Sequence, residues 1–164
     1  MKKINQQKSE LCLLLPDIRS GFNVGSFFRT CDGLGISKIF LTGFTPYPPH
    51  KEIQKTALGA ENFVDWSFHL QTKKLIKKLK TDNFKIIALE KDKNSIPLQN
   101  CQIKSKKICL VVGNEIEGIN KNIISLADQI ISIEMKGQKE SLNVSIAGGI
   151  ALFKIQSLLE KISF

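Results

Sequence analysis

Arginine is nearly missing from this chain. Of 24 basic side chains in 164 residues only Arg19 and Arg29 are arginines, and both fall within the short stretch from Asp17 to Thr30. Where positive charge alone suffices the chain uses Lys, a flexible point charge, whereas Arg offers a planar fork of donors suited to phosphate or carboxylate. Arg29 is therefore the leading candidate for a site residue. The plain alternative is that two arginines lie close together on a helix surface, in ion pairs worth little. Cysteine is also sparse and unpatterned: Cys12, Cys31, Cys101 and Cys109 form no C-x-x-C pair. Cys12 and Cys109 fall inside apolar runs where cysteine is usually a small buried hydrophobe, so neither a disulfide framework nor a metal site is indicated. No apolar run approaches the roughly 20 residues a membrane helix needs. The basic start, residues 1–10, leads into only five apolar residues before Pro16, too few for a secretory signal core, and a cytoplasmic location is expected.

What is present describes one ordinary soluble domain, 42% hydrophobic and long enough to bury a core without staples. The formal net charge of +9 points to a polyanionic partner, nucleic acid before membrane, since no basic helix rich in aromatics stands out. A chain drawn from a generally lysine-rich proteome would give the same charge without such a partner.

Five short apolar runs, at 11–15, 38–41, 84–89, 108–112 and 130–133, read as buried strands. Most are continuous rather than alternating, as expected of a parallel sheet covered on both faces, and helical patterns separate them. That is an α/β layout. Helices are expected at about 23–34, ended by Gly35; 51–58, ended by Gly59; 70–80, ended by the turn at 81–83; 120–128; and 141–162. In the third of these, Leu75, Ile76 and Leu79 fall on one side and Lys73, Lys74, Lys77, Lys78 and Lys80 on the other. Such a stripe is more often a solvated face than a phosphate contact. The Pro-rich stretch 43–50 reads as a surface loop near whatever the sheet binds.

Ligands of open α/β sheets bind beyond the carboxyl ends of the strands, which draws attention to three segments. They are Asn23-Val24-Gly25-Ser26-Phe27-Phe28-Arg29 after the first strand, Gly113-Asn114-Glu115-Ile116-Glu117-Gly118 after the fourth, and Met135 through Ser145 after the fifth. Gly113 and Gly118 have P-loop spacing, but Ile119-Asn120 stand where Lys and Ser or Thr must be, which excludes a P-loop NTPase. No G-x-G-x-x-G follows the first strand, against a dinucleotide site and against Rossmann-like methyltransferases. Each polar residue also has a structural reading: Asn23 as a helix N-cap, Ser141 and Asn143 as caps of the last helix, Glu115 as an acceptor for loop N–H groups.

Together, in this order, the three segments resemble the motifs of TrmH/SpoU-type RNA 2′-O-ribose methyltransferases of the SPOUT superfamily. The stretches 37–46 and 55–66 are similar to that family as well, so that the resemblance covers about residue 11 to the C-terminus, behind a basic segment at 1–10. Gly113-Asn114-Glu115 and Ser141-Leu142-Asn143-Val144-Ser145 are its most specific parts.

The resemblance implies a single parallel-sheet α/β domain whose C-terminal portion forms a deep trefoil knot, working as a homodimer. It implies S-adenosyl-L-methionine as cofactor, held largely by backbone groups around Leu89, Gly113, Ile133, Met135, Ser141 and Leu142. The reaction would be displacement of the sulfonium methyl by a ribose 2′-oxygen of RNA, with tRNA favoured over rRNA because the chain is compact. By matching position Arg29 is the catalytic residue. A guanidinium stays protonated through the accessible pH range, so gripping the neighbouring phosphate and stabilising charge on the 2′-oxygen is an alternative to its acting as base. Asn23, Glu115, Ser141 and Asn143 match the remaining polar motif positions. Glu134 stands where the family usually has Pro. Alternatives are a base methyltransferase of the same superfamily, or a catalytically idle RNA-binding dimer, against which Arg29 and the Ser141–Asn143 pair argue. Lys2, Lys3, Lys8, the 73–80 stripe, Lys104, Lys106 and Lys107 are candidate phosphate contacts.

Overall fold

The computed structural model of the chain describes residues 9–162. Its strands in chain order are β1 (Glu10–Pro16), β2 (Lys38–Thr42), β3 (Trp66–His69), β4 (Lys85–Leu89), β5 (Ile96–Pro97), β6 (Lys107–Val112) and β7 (Gln129–Ser132). They form one parallel seven-stranded sheet in the order β3-β2-β1-β6-β4-β7-β5. The helices are α1 (Gly21–Leu34), α2 (Lys51–Ala57), α3 (Thr72–Thr81), α4 (Lys121–Ile124) and α5 (Val144–Ile162).

Side chains on a strand alternate between faces, so a strand buried on both must be apolar throughout. The middle of the sheet obeys this. Leu11, Leu13 and Leu15 of β1 enter a core closed by α1, α2 and α5, while Cys12 and Leu14 enter a second core closed by α3 and α4. All four cysteines are buried and free, and burial pushes the Cys12 thiol up to about 12, so it is an inert packing group.

The five expected strands are present. β3 and β5 carry no continuous apolar run, a signal that belongs to central strands. β3 is a four-residue edge strand whose residues are all half-buried, and β5 has only two residues. Helix ends differ from expectation for identifiable reasons. Ser20, not Asn23, caps α1: its Oγ accepts the N–H of Asn23 at 3.3 Å, which places Asn23 inside the first turn. Gly35 closes that helix in the left-handed region, as expected. In α2 the left-handed cap is Leu58, one residue before Gly59. The helix expected at 120–128 is one turn long, and α5 begins at Val144 rather than 141. On α3 the apolar side is buried and the five lysines are exposed, but Lys80 is engaged. Its Nζ lies 3.2 Å from Asp128 Oδ1 and donates to the Leu126 carbonyl, which ties α3 to the chain beyond α4.

The interior glycines of α5 have opposite surroundings. A Cβ at Gly148 would lie 2.5 Å from Cε1 of Phe27 and 3.3 Å from Val112 Cγ1, so the side chains of Phe27 on α1 and Val112 on β6 rest directly on the α5 backbone there. One residue later, a Cβ at Gly149 would make an ordinary 3.6 Å contact with Thr30. Phe27 is fully buried and has no room to yield. Gly148→Leu is therefore expected to lower unfolding stability by about 2–3 kcal/mol through overpacking. Gly149→Ala should be neutral or gain up to about 1 kcal/mol of helix propensity. Denaturant titration of the two variants checks this; equal effects would refute the assignment of the tight contact to Gly148.

Candidate active site

Because the sheet is parallel, the ends of β1, β4, β6 and β7 deliver their loops to one edge of the molecule. The loop after β1 is fastened first. Thr45 Oγ1 accepts the Ile18 N–H at 2.9 Å and donates to the Leu15 carbonyl at 2.8 Å, so the Pro-rich loop clamps the exit of β1. Tyr47 of the same loop lies 4.7 Å, centroid to centroid, from Phe68 of β3.

After β6 the chain makes a tight hairpin in which Asn114 and Gly118 exchange both backbone hydrogen bonds. Two of its side chains reach the β1–α1 loop. Asn114 Nδ2 donates to the Asp17 carbonyl at 2.6 Å. The Glu115 carboxylate accepts the N–H groups of Arg19 at 2.9 Å and Ser20 at 3.1 Å, and the Asn23 amide at 2.9 Å. Asn23 Oδ1 in turn accepts from Asn143 Nδ2 at 3.1 Å. The freed oxygen of Asn143 caps α5 by accepting the N–H of Ser145 at 2.9 Å.

The order of donors in this chain follows from its end. A carboxylate can only accept, so Asn23 must turn its NH₂ toward Glu115 and its oxygen toward Asn143. Partial burial pushes the Glu115 carboxyl up, but the hydrogen bonds from Arg19, Asn23 and Ser20 outweigh it and hold the group below its ordinary range. Four sequence-predicted residues are thus sorted: Glu115, Asn23 and Asn143 form one connected unit, and Ser141 belongs to the pocket beside it.

That pocket, of about 520 Å³, opens beyond the ends of β4 and β7. Leu89, Ile133, Met135, Ser141 and Leu142 line it. Gly113 lies outside the lining; a Cβ there would sit 2.5 Å from the Gly118 carbonyl carbon, so its role is to let the hairpin close. Pro97 and Ala147 add apolar wall, while Glu90, Glu134 and Glu140 add three carboxylates against the single ammonium of Lys91. The size, the apolar walls and the carboxylates suit a bulky, positively charged nucleoside such as S-adenosyl-L-methionine.

Arg29 is elsewhere. It lines an open cleft of about 510 Å³ with Ser26, Thr30, Lys55 and Thr56, which shares no residue with the 520 Å³ pocket. Between the two runs α5, whose Ala147 faces the pocket and whose Gly149 flanks Thr30. Phe22 on α1 and Ile146, Ile150 and Phe153 on α5 are exposed large apolar groups, Phe153 by 65%.

Sequence reasoning missed Glu90. Its carboxylate accepts the N–H of Ile119 at 2.8 Å and bridges β4 to the end of the hairpin. Its sequence signal is the same as that of Glu115, a carboxylate close behind a buried strand. Of the proposed phosphate-binding lysines, Lys2, Lys3 and Lys8 lie outside the described residues. Lys107 is 3.3 Å from Glu10 Oε1 and its ammonium lies 5.1 Å from the centre of the Phe84 ring. It opens β6, at the sheet end opposite the pocket, where the ion pair with Glu10 holds it.

The chain has clear relatives. The model of the SpoU rRNA methylase family matches residues 10–153. A tRNA (guanosine(18)-2′-O)-methyltransferase of Aquifex aeolicus is 29% identical over 164 residues, which cover 96% of this chain and 74% of that protein. The Escherichia coli K12 enzyme of the same name is 25% identical over 92% of this chain and 65% of its own length. Among solved structures, the AdoMet-bound rRNA methyltransferase of Sinorhizobium meliloti superposes with a TM-score of 0.86 at 28% identity, over 94% of this chain. The chain spans 58% of that protein's length. The TrmH/SpoU tRNA modifying enzyme of Aquifex aeolicus gives 0.83 at 27% identity, over 96% of this chain and 79% of that one.

Glu115→Gln keeps the shape but leaves an NH₂ facing donors, and because the group is exposed to water it should lower stability at pH 7 by no more than about 0.5–1 kcal/mol. A depressed carboxyl stabilises the fold above its unfolded value of about 4.3 and loses that contribution as pH falls through its lower folded value. The gap between wild type and variant should therefore close on acidification below about pH 4. Urea melts across pH 3–7 test this, and a gap independent of pH would refute it.

Proposed function

Since the chain belongs to the SpoU rRNA methylase family, we propose that it transfers the methyl group of S-adenosyl-L-methionine to a ribose 2′-hydroxyl of RNA, with tRNA favoured over rRNA. The observation that carries this reading is the unit Glu115–Asn23–Asn143, which joins all three motif segments beside a pocket of cofactor size. Relatives named as tRNA methyltransferases at 29% and 25% identity support the tRNA preference. No helix of the described residues is long and apolar enough to cross a membrane.

When bound, the cofactor supplies a methyl group on a positively charged sulfur. Leu89, Ile133, Met135 and Leu142 would hold it away from water, with Ser141 at the edge facing α5. A 2′-hydroxyl is a poor nucleophile, and the chain's part is to orient it and to stabilise the charge that develops on its oxygen. Arg29 does this by gripping the phosphate next to the target ribose. Asn23 and Glu115 position it, since they fix the first turn of the helix that carries it.

In one protomer Arg29 and the cofactor pocket face different clefts. A second copy of the chain, docked on the apolar groups Phe22, Ile146, Ile150 and Phe153, would bring the Arg29 cleft of one subunit to the cofactor pocket of the other. The homodimer is therefore part of the reading, and the catalytic unit is shared between subunits.

Incubation with methyl-labelled S-adenosylmethionine and tRNA, followed by alkaline digestion, tests the chemistry. Label is expected in alkali-resistant dinucleotides; label in mononucleotides would mean base methylation, and none would overturn the reading. Arg29→Lys keeps the charge and loses the fork. It should lower kcat by about 100-fold or more, with stability within about 0.5 kcal/mol of wild type. Near-normal turnover would remove Arg29 from the mechanism.

A further inference from the structure

We infer that Lys55 is a second phosphate-binding residue of the Arg29 cleft, so that the RNA backbone beside the methylated ribose is held between a guanidinium on α1 and an ammonium on α2. The inference rests on the RNA reading above for the identity of the polyanion, and on the cleft itself for the rest.

The side chains lining the cleft are two cations and three hydroxyls, without a carboxylate. Neither Arg29 nor Lys55 forms an ion pair among the described residues, whereas Lys80, Lys85 and Lys107 each do. Two of the hydroxyls are already engaged as donors: Ser26 Oγ and Thr56 Oγ1 both donate to the Phe22 carbonyl, at 3.0 and 2.8 Å. The charged donors are thus the groups left facing outward, together with Thr30. Like charges lining one cleft repel unless an anion lies between them, and cations with hydroxyls are the residues that take phosphate oxygens.

The spacing of the two cations is set by the tightest helix contact in this part of the fold. A Cβ at Gly25 would collide with the Ile53 carbonyl and the Thr56 hydroxyl, so α1 meets the backbone of α2 one turn before Arg29. Lys55 lies between those two contact residues, and its Nζ sits 5.9 Å from the centre of the Phe22 ring. This holds the ammonium toward α1 rather than letting it range through solvent. A bland role is available, since Lys55 occupies the last turn of α2, where a cation favours the helix dipole. That role predicts an effect on stability and none on RNA.

The test is tRNA binding by fluorescence anisotropy over a series of KCl concentrations, without cofactor, using the full chain and Lys55→Gln and Lys55→Arg. Lys55→Gln should weaken binding about tenfold at 0.1 M salt and reduce the slope of log affinity against log salt by about one per cleft. Its thermal unfolding should be unchanged, and Lys55→Arg should restore both quantities. Wild-type affinity and slope in Lys55→Gln, or loss of binding only in step with loss of stability, would overturn the inference. The alkali-digestion assay on the same proteins separates the two readings. Reduced binding by Lys55→Gln without 2′-O-methylation by wild type would leave the phosphate role standing and remove the methyl transfer. Normal 2′-O-methylation with an unaltered salt slope would do the reverse.

Discussion

Everything at the working edge of this molecule leans on one carboxylate. Glu115 sits at the tip of a hairpin, accepts two backbone N–H groups at the start of α1, and orients Asn23. Asn23 orients Asn143, which starts α5. A charged acceptor at one end makes each following hydrogen bond directional, and charge-assisted bonds are roughly twice as strong as neutral ones. Three loops that are distant in sequence therefore have one relative arrangement. The helix bearing Arg29 starts where that arrangement puts it.

The supporting sheet explains why so short an assembly holds. Four of its strands, β1, β2, β4 and β6, carry apolar runs buried between two helical layers, and strands that are buried on both faces leave little freedom of register. The loops inherit that precision at their roots. They are then fastened by side chains rather than by further secondary structure: Thr45 over the exit of β1, Asn114 on Asp17, Glu90 on Ile119.

The central strands and the basic stripe of α3 could be read from residue pattern, because burial on both faces or on one leaves a periodic trace. β3 and β5 could not, since an edge strand is defined by its neighbour and not by its own composition. Motif resemblance singled out Asn23, Glu115 and Asn143, but not the hydrogen bonds that join them. Asn23 looks like a cap in sequence, and only the position of Ser20 one turn earlier shows that its side chain is free for another partner. Arg29 and the cofactor pocket read as one site along the chain, while in space the width of α5 separates them, a relation that no local pattern encodes. Gly113 also serves close backbone approach, which its loop position alone did not announce.

The three successive residues Ala147, Gly148 and Gly149 face the pocket, the buried core and the flank of Thr30 in turn. One helical turn of α5 therefore acts as a fixed gauge between the place where the methyl donor would sit and the helix that carries the arginine. With Gly148 seated against Phe27, α5 cannot slide by even one residue's rise of about 1.5 Å without a clash. The interval across this wall is thus built in stiff backbone, and any adjustment to RNAs of different shape must come from the surrounding loops.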